Sequence, residues 1–346
     1  MADASPLTIR VVDMHTAAEP VRIVEGGYPE LHGATILEKR RDALTRFDHL
    51  RRMLMLEPRG HGGMYGVVPV APSDLRANLA VLFTHQEGYS TMCGHATIAI
   101  GRWAVDTGRV VLTDGRARFA LEAPCGVVQV EVDATGDDAP LVTFESVESF
   151  AGPLDREVEV PGFGTVRVDI AFGGAFYAIL PASRLGLSLM DTPLETLVAA
   201  GVAITDAARR ALSIVHPQEP DLGFLYGTIL TDDIALGDHC GLPSYNLCIF
   251  AEGQIDRSPT GSGVTARIAL AAARGEMTPG EACEIRGVSG EGFTGTLASA
   301  EQRDGGVVSR VRVAGRSYYA ARSEFIAEPH DRFADGFELP ARFADL

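Results

Sequence analysis

Along this chain, short runs of alternating or β-branched residues are commoner than apolar positions at helical spacing. TIRVVDMHT, PVRIVEGG, GVVQVEVDA, TVRVDIAFGG, FYAILPA, NLCIFAEG and VSRVRVAGRSYYAA each predict a strand. Residues 37–55, LEKRRDALTRFDHLRRMLM, set Leu37, Leu44, Phe47, Leu50, Met53 and Leu54 among basic residues and predict an amphipathic helix. LETLVAAGVAITDAARRALSIV is a second amphipathic stretch, expected as two short helices broken near Gly201. Two other helical stretches are apolar on most of their circumference: ATIAIGRWAVDTG (Ala96–Gly108) and VTARIALAAARG (Val264–Gly275). That pattern belongs to helices buried inside a domain, and each ends at a glycine suited to a C-cap.

An internal echo connects these features. VVDMHTAAEPVRIV opens one half of the chain, and VRVDIAFGGAFYAIL, from Val166, opens the other. Cys93 follows Asp13 by 80 residues and Thr260 follows Asp169 by 91, and each precedes a glycine and one of the apolar helices. A glycine-rich strand region comes after each helix, LEAPCGVVQV and then GVSGEGFTGTLA. Identity between the halves is low, so this is a structural echo, and it predicts two similar domains. The seam is expected in the proline, glycine and charge-rich stretch near Gly152–Gly164. Residues 1–155 then form the first domain and 156–317 the second, with the segment from about 318 to 346 crossing back to complete the first.

At 346 residues, 46% hydrophobic and 22% charged, the chain can bury two cores and has a globular profile. A net charge of −16 argues against nucleic acid as a partner. An anionic ligand would need a local site, built from backbone N–H groups at helix N-termini. No apolar run approaches the roughly 20 residues that span a bilayer, so no membrane partner is expected. The opening MADASPLTIRVVDMHT has neither the basic nor the apolar region of a signal peptide. The five cysteines (Cys93, Cys125, Cys240, Cys248, Cys283) are odd in number and widely spaced, as expected of free thiols in a reducing cytoplasm. No CxxC, HxxxH or HExxH pattern occurs among them and the nine histidines, so no metal site is expected.

The candidate chemistry lies at the starts of the two apolar helices. Cys93 on its own would read as a buried structural cysteine. Just before Gly94, His95 and a helix start, it meets N–H groups and a dipole that favour a thiolate able to act as a base toward a carbon acid. His95 is either a neutral hydrogen-bonder or a general base. Thr260 is a good N-cap type, with Gly261 and Gly263 allowing close backbone approach and Ser262 adding a hydroxyl. The G-x-G turn lacks the lysine of a P-loop and the spacing of a dinucleotide fingerprint. Asp256 is either a surface turn residue paired with Arg257 or the partner of a substrate ammonium. Two helix N-termini facing each other across a cleft would hold a zwitterionic amino acid, with its carboxylate on backbone N–H groups and its ammonium near Asp256 or His95. Its Cα proton would then point at Cys93.

Five segments, in order, resemble the proline racemase family: DMHTAAEPVRIV, EPRGHGGMYG, HQEGYSTMCGH, FGGAFYA and DRSPTGSGVTAR. The likeness runs from about residue 8 to the GEGFTG segment near Gly295. One departure is AAEP at Ala17–Pro20, where relatives often carry two glycines. The resemblance implies an α+β fold of two similar domains, each a curved β-sheet around a central buried helix, with the active site in the cleft between them. In the family's racemases and epimerases, two opposed cysteines serve as proton acceptor and donor on the two faces of Cα. By position the first falls on Cys93 and the second on Thr260, and the substrate contacts fall on Gly94, His95, Asp256, Gly261 and Ser262. DRSPTGSGVTARIAL is similar to the branch of the family that dehydrates trans-3-hydroxy-L-proline, where a threonine replaces the second cysteine.

That replacement has a chemical consequence. A thiol can be tuned to give or take a proton near neutrality, whereas an aliphatic hydroxyl is far too weak an acid to cycle through its anion. Cys93 alone can remove the Cα proton, and with a hydroxyl on Cβ the carbanion exits by losing water. The expected product is an enamine that tautomerises to Δ1-pyrroline-2-carboxylate, with no metal or organic cofactor. The acid for the leaving hydroxyl is left open among Cys93, His95 and Thr260. The expected partner is a small-molecule imino acid, with a homodimer allowed. The alternatives are a proline or 4-hydroxyproline 2-epimerase and a non-catalytic imino-acid-binding protein.

Overall fold

The structure, a computed structural model, describes residues 6–237 and 242–338. It opens with a hairpin, β1 (Leu7–Thr16) and β2 (Glu19–Gly26), turned by Ala17 and Ala18 alone. Both alanines have positive φ, 50° and 66°. A two-residue hairpin turn asks for that geometry at both positions, which explains why glycine suits them.

Helices α1 (Ile36–Arg46) and α2 (Asp48–Met55) follow, then β3 (Tyr65–Val70), β4 (Leu79–His85) and the short β5 (Tyr89–Ser90). The buried helix α3 (Gly94–Asp106) leads to β6 (Arg116–Ala123), β7 (Gly126–Asp133) and β8 (Leu141–Glu145). After β9 (Ser149–Ala151) and β10 (Arg156–Val160), the second half runs through β11 (Gly164–Phe172), β12 (Phe176–Pro181) and α4 (Leu194–Ala211). It continues with β13 (Leu225–Thr231), β14 (Ser244–Phe250), β15 (Gln254–Ile255) and α5 (Gly261–Ala273). Strands β16 (Ala282–Arg286), β17 (Gly292–Arg303), β18 (Gly306–Gly315) and β19 (Ser317–Ala327) follow.

The two halves repeat one ladder of pairings. In the first, β1–β2 is antiparallel, β2–β3 parallel, β3–β4 and β4–β5 antiparallel, β4–β6 parallel, and β6–β7–β8 antiparallel. In the second, β11–β12, β12–β13, β13–β14, β14–β15, β14–β16 and β16–β17–β18 follow the same sequence of directions. α3 and α5 occupy the same step of each ladder, the crossover that a parallel pair requires. The α+β, two-domain architecture is therefore an internal duplication, with strands that tie the halves together. β8 pairs with β18, and β19 pairs with β1 from Leu7–Ala327 to Thr16–Ser317.

Both crossover helices lie inside the sheets. Of the 13 residues of α3 only Arg102 and Asp106 escape full burial, and of the 13 of α5 only Ala273 does. One apolar cluster runs from Ile98 and Trp103 of α3 to Val264 and Ile268 of α5, so the two helices share a core. Gly108 and Gly275 follow their ends with φ of 70° and 72°, the left-handed turn that glycine provides at no steric cost.

Two helix expectations are corrected. The pattern over residues 37–55 is two helices, because the Phe47 backbone leaves helical geometry (φ −131°, ψ 17°). The stretch from Leu194 is one unbroken helix to Ala211. Gly201 does not break it, because glycine there answers a packing need. A Cβ would stand 2.7 Å from Ile249 Cδ1, so the bare backbone lets α4 lie close on β14. VSRVRVAGRSYYAA is divided at Arg316 between β18 and β19. Cys240 lies outside the described residues, and the other four cysteines are free thiols.

Candidate active site

The first residues of α3 and α5, Gly94 and Gly261, lie backbone against backbone, so close that a Cβ on Gly94 would stand 2.4 Å from Gly261 Cα. This brings the N–H groups of two first turns to one point, the arrangement that attracts an anion. Cys93 is the N-cap of α3 in extended geometry, and its Sγ accepts the Ala96 N–H at 3.4 Å.

Thr260 holds the matching position before α5, but it does not cap the helix with its side chain, contrary to what its residue type allows. An N-cap side chain needs extended backbone, whereas Thr260 sits at φ 63°, a region β-branched residues seldom enter. Its N–H donates to Ser258 Oγ at 3.1 Å. Its own hydroxyl is buried and has no hydrogen-bond partner among the described residues. The strained backbone thus frees the hydroxyl instead of using it.

Cys93, Gly94, His95, Asp256, Thr260 and Ser262 line one small, tightly closed cavity. Gly261 lies directly behind it, against Gly94. His95 Nδ1 is 3.2 Å from Cys93 Sγ and 3.9 Å from Asp256 Oδ2, and the Thr16 hydroxyl donates to the His95 carbonyl at 2.9 Å. Burial pushes the His95 ring below its usual value against the pull of Asp256, so it is a neutral hydrogen-bonder here. Asp256 is 5% exposed and accepts the Ser258 N–H at 2.8 Å, which rules out a surface turn residue.

Burial also corrects the expectation for Cys93. It drives the thiol well above its ordinary value, with Asp256 and Glu19 adding to the effect, and the Ala96 N–H only partly offsets this. In this buried cleft the neutral thiol is the resting form.

Glu19 is a lining residue that the sequence did not single out. Its side chain is fully buried, and Oε2 accepts the Arg257 N–H at 2.7 Å and the Arg257 guanidinium at 3.4 Å. Oε1 has no partner among the described residues. Burial, then the Asp256 charge, raise its carboxyl well above the usual range. Arg257 therefore pairs with Glu19 and not with Asp256, and it also donates to the Gly63 carbonyl at 3.0 Å. Asp13 and Arg22 hold the hairpin behind this corner. Arg22 bonds both Asp13 oxygens at 2.9 Å and donates to the Leu54 and Arg59 carbonyls.

The far wall is aromatic. Tyr65, Tyr177, Tyr226 and Phe250 line it, with Tyr226 stacked on Phe250 at 5.4 Å and the Tyr65 ring edge-on to His95 at 4.9 Å. Tyr65 donates to Ser90 Oγ at 2.7 Å, and the Tyr177 and Ser262 hydroxyls bond at 2.7 Å. Burial keeps all three phenols neutral. Cys248 on β14 also lines the cavity. It is fully buried, and burial pushes its thiol up while the neighbouring Thr260 hydroxyl partly offsets this.

Neither the tyrosines nor Cys248 stand at a helix start, so local pattern could not mark them. Glu19 was within reach, since a lone carboxylate among apolar strand residues is a signal of burial. The FGGAFYA segment serves by close approach: a Cβ on Gly173 would stand 2.1 Å from the Ser262 carbonyl oxygen. Among the described residues no group of three or more His, Cys, Asp or Glu is placed to hold a metal ion, and no helix is long and apolar enough to cross a membrane.

Residues 11–338 match the family model described as proline racemase. A trans-L-3-hydroxyproline dehydratase of Xenopus tropicalis is 45% identical over 333 residues, covering 96% of this chain and 95% of that protein. The trans-3-hydroxy-L-proline dehydratase of Homo sapiens is 45% identical, with coverage of 97% and 96%. Among solved structures, a probable proline racemase from Agrobacterium radiobacter K84 with bound carbonate superposes with a TM-score of 0.88 at 25% identity, covering 96% of each chain.

Proposed function

This chain belongs to the proline racemase family, and on that footing we propose that it is a hydro-lyase converting trans-3-hydroxy-L-proline to Δ1-pyrroline-2-carboxylate. One observation carries the reading. Two abutting helix starts present a thiol on one side of a small cavity and a free hydroxyl, not a second thiol, on the other.

The zwitterion enters with its carboxylate on the N–H groups of Gly94, His95, Gly261 and Ser262, where the dipoles of both helices favour negative charge. Its ring nitrogen turns to Asp256. The cation offsets the Asp256 and Glu19 charges that disfavour a Cys93 thiolate, so binding itself prepares the base. Cys93 takes the Cα proton, and the carboxylate cradle holds the charge that develops as the Cα–H bond breaks. Thr260 cannot deliver a proton to the opposite face through its anion, so the electron pair expels the 3-hydroxyl as water. The resulting enamine tautomerises to the imine. A reducing, cytoplasmic setting is part of this proposal, because the step needs Cys93 as a free thiol.

Incubation of the purified protein with trans-3-hydroxy-L-proline should yield a pyrroline that reacts with o-aminobenzaldehyde, and Cys93→Ser should abolish it. Absence of product with this substrate, alongside turnover of L-proline or 4-hydroxyproline, would overturn the reading. One observation favours 2-epimerisation as a second reading, namely the Cys248 thiol on the Thr260 side of the cavity. Its place on β14, away from the two helix starts that cradle the carboxylate, argues against a role as the second base.

A further inference from the structure

The proposed dehydration leaves one proton unassigned, and stereochemistry narrows its source. In trans-3-hydroxy-L-proline the hydroxyl lies opposite the carboxylate, and so does the Cα hydrogen. The Cα–H and the leaving oxygen therefore share a ring face, the one turned to Cys93. Thr260, on the other face, is on the wrong side. His95 and Asp256 lie at the nitrogen end, and the carboxylate occupies the helix starts. The ring carbons then face the remaining wall, where Tyr65, Tyr177 and Tyr226 carry the hydroxyls and Tyr177 is tied to Ser262 on the Thr260 side.

On this wall Tyr65 belongs to the Cys93 side. It stands at the start of β3 in the same half of the chain, with its ring against His95, whose Nδ1 is 3.2 Å from Cys93 Sγ. Its hydroxyl is held by Ser90, whose own hydroxyl is anchored on the Met92 carbonyl at 2.8 Å, next to Cys93 in sequence. The phenol is buried, 3% exposed, and lines the same small cavity as the Cys93 sulfur.

We infer that Tyr65 is the catalytic acid of the elimination: it contacts the 3-hydroxyl and relays to it the proton that Cys93 takes from Cα. The inference rests on the dehydratase reading above. The proton moves from Cα to Cys93 Sγ as the Cα–H bond breaks. As the C3–O bond breaks, Tyr65 turns its hydroxyl proton from Ser90 Oγ to the leaving oxygen and receives the Cys93 proton on its own oxygen. Water, the enamine, a Cys93 thiolate and a neutral Tyr65 result, so each turnover resets the site with no outside acid. Ser90 is a positioning residue that fixes the phenol through the 2.7 Å bond.

The test uses Tyr65→Phe, which keeps the ring and removes only the oxygen. Three rates are compared with the wild-type enzyme: pyrroline formation from trans-3-hydroxy-L-proline, Cα deuterium uptake by L-proline in D2O, and fluoride release from trans-3-fluoro-L-proline, whose leaving group needs no proton. The expected result is a loss of about 100-fold or more in kcat for dehydration. Cα exchange and fluoride release should stay within a few-fold of wild type, and Ser90→Ala should give a smaller loss of the same pattern. Unchanged dehydration would overturn the assignment, as would a parallel fall of all three rates, which marks a merely structural tyrosine. Wild-type enzyme that exchanges Cα but forms no pyrroline would instead overturn the dehydratase reading, and the role of Tyr65 with it.

Discussion

Gly94 and Gly261 touch across the cleft: a Cβ on the first would stand 2.4 Å from the Cα of the second, and a Cβ on the second 2.6 Å from the Cα of the first. No side chain fits between them, so the separation of the two helix starts, and with it the size of the carboxylate cradle, is set by two missing methyl groups. Gly94→Ala must wedge the helices apart. Overpacking of this kind costs roughly 1–3 kcal/mol of stability, while misplacing reacting groups by about 1 Å costs on the order of 100-fold in rate. The variant should therefore stay folded by circular dichroism with kcat/KM for trans-3-hydroxy-L-proline down about 100-fold. Wild-type activity would refute the tight cradle.

Burial raises the Cys93 thiol, while the ammonium of a substrate would relieve the effect of the two carboxylates beside it. The active form is the thiolate, so kcat/KM, which reports the free enzyme, should climb on the alkaline side with rising pH. The limb in kcat, which reports the complex, should lie at lower pH. Coincident limbs in the two profiles would show that substrate does not tune the base.

Thr260 and Cys248 separate the elimination and epimerisation readings. Thr260→Cys places a thiol where two-base chemistry needs it, so L-proline in D2O should then yield deuterated D-proline, while the wild-type protein exchanges with retention. Cys248→Ala should leave dehydration within a few-fold of wild type. A loss of about 100-fold in Cys248→Ala would make that buried thiol a working group.

Glu19 carries a pH signature in stability. Its folded carboxyl is raised by burial and Asp256, so the folded state holds that proton more tightly than the unfolded chain. The stability it contributes is present below the unfolded value near 4.5 and is lost as pH rises through the raised folded value. Glu19→Gln keeps an acceptor for the Arg257 N–H without the charge. Its Tm should exceed wild type at pH 8 by the equivalent of about 1 kcal/mol, with the gap closing near pH 4. A gap independent of pH would point to packing alone.

The turn alanines offer a test far from the chemistry. Ala17 and Ala18 hold positive φ at 50° and 66°, which costs an L-residue roughly 1–2 kcal/mol. Glycine also loosens the unfolded chain, so Ala18→Gly should raise stability by only about 0.5–1 kcal/mol in urea titration. Destabilisation would mean that the Ala18 methyl packs more usefully than its exposed position suggests.

The chain by itself determined a good deal here. Apolar residues all round Ala96–Gly108 and Val264–Gly275 have no stable place except inside a sheet, so the burial of α3 and α5 was legible from composition. Cys93 and Thr260 were legible too, because a helix start advertises itself through local glycine, cap and dipole chemistry. Period alone misjudged the helix breaks, since Gly201 answers to Ile249, a residue that only folding brings near.

The tertiary structure decided the ionisation state of the thiol, because burial depends on what closes over a site and here outweighs the helix start. It decided that Thr260 frees its hydroxyl, a matter of one φ angle. It also gathered Glu19, Tyr65, Tyr226 and Cys248 into the cavity from four separate strands, whose side chains meet only because the two halves repeat one ladder and join along it. Chemistry written in neighbouring residues can be read along the chain. Chemistry that depends on distance, burial and the face of a ring exists only once the chain has folded.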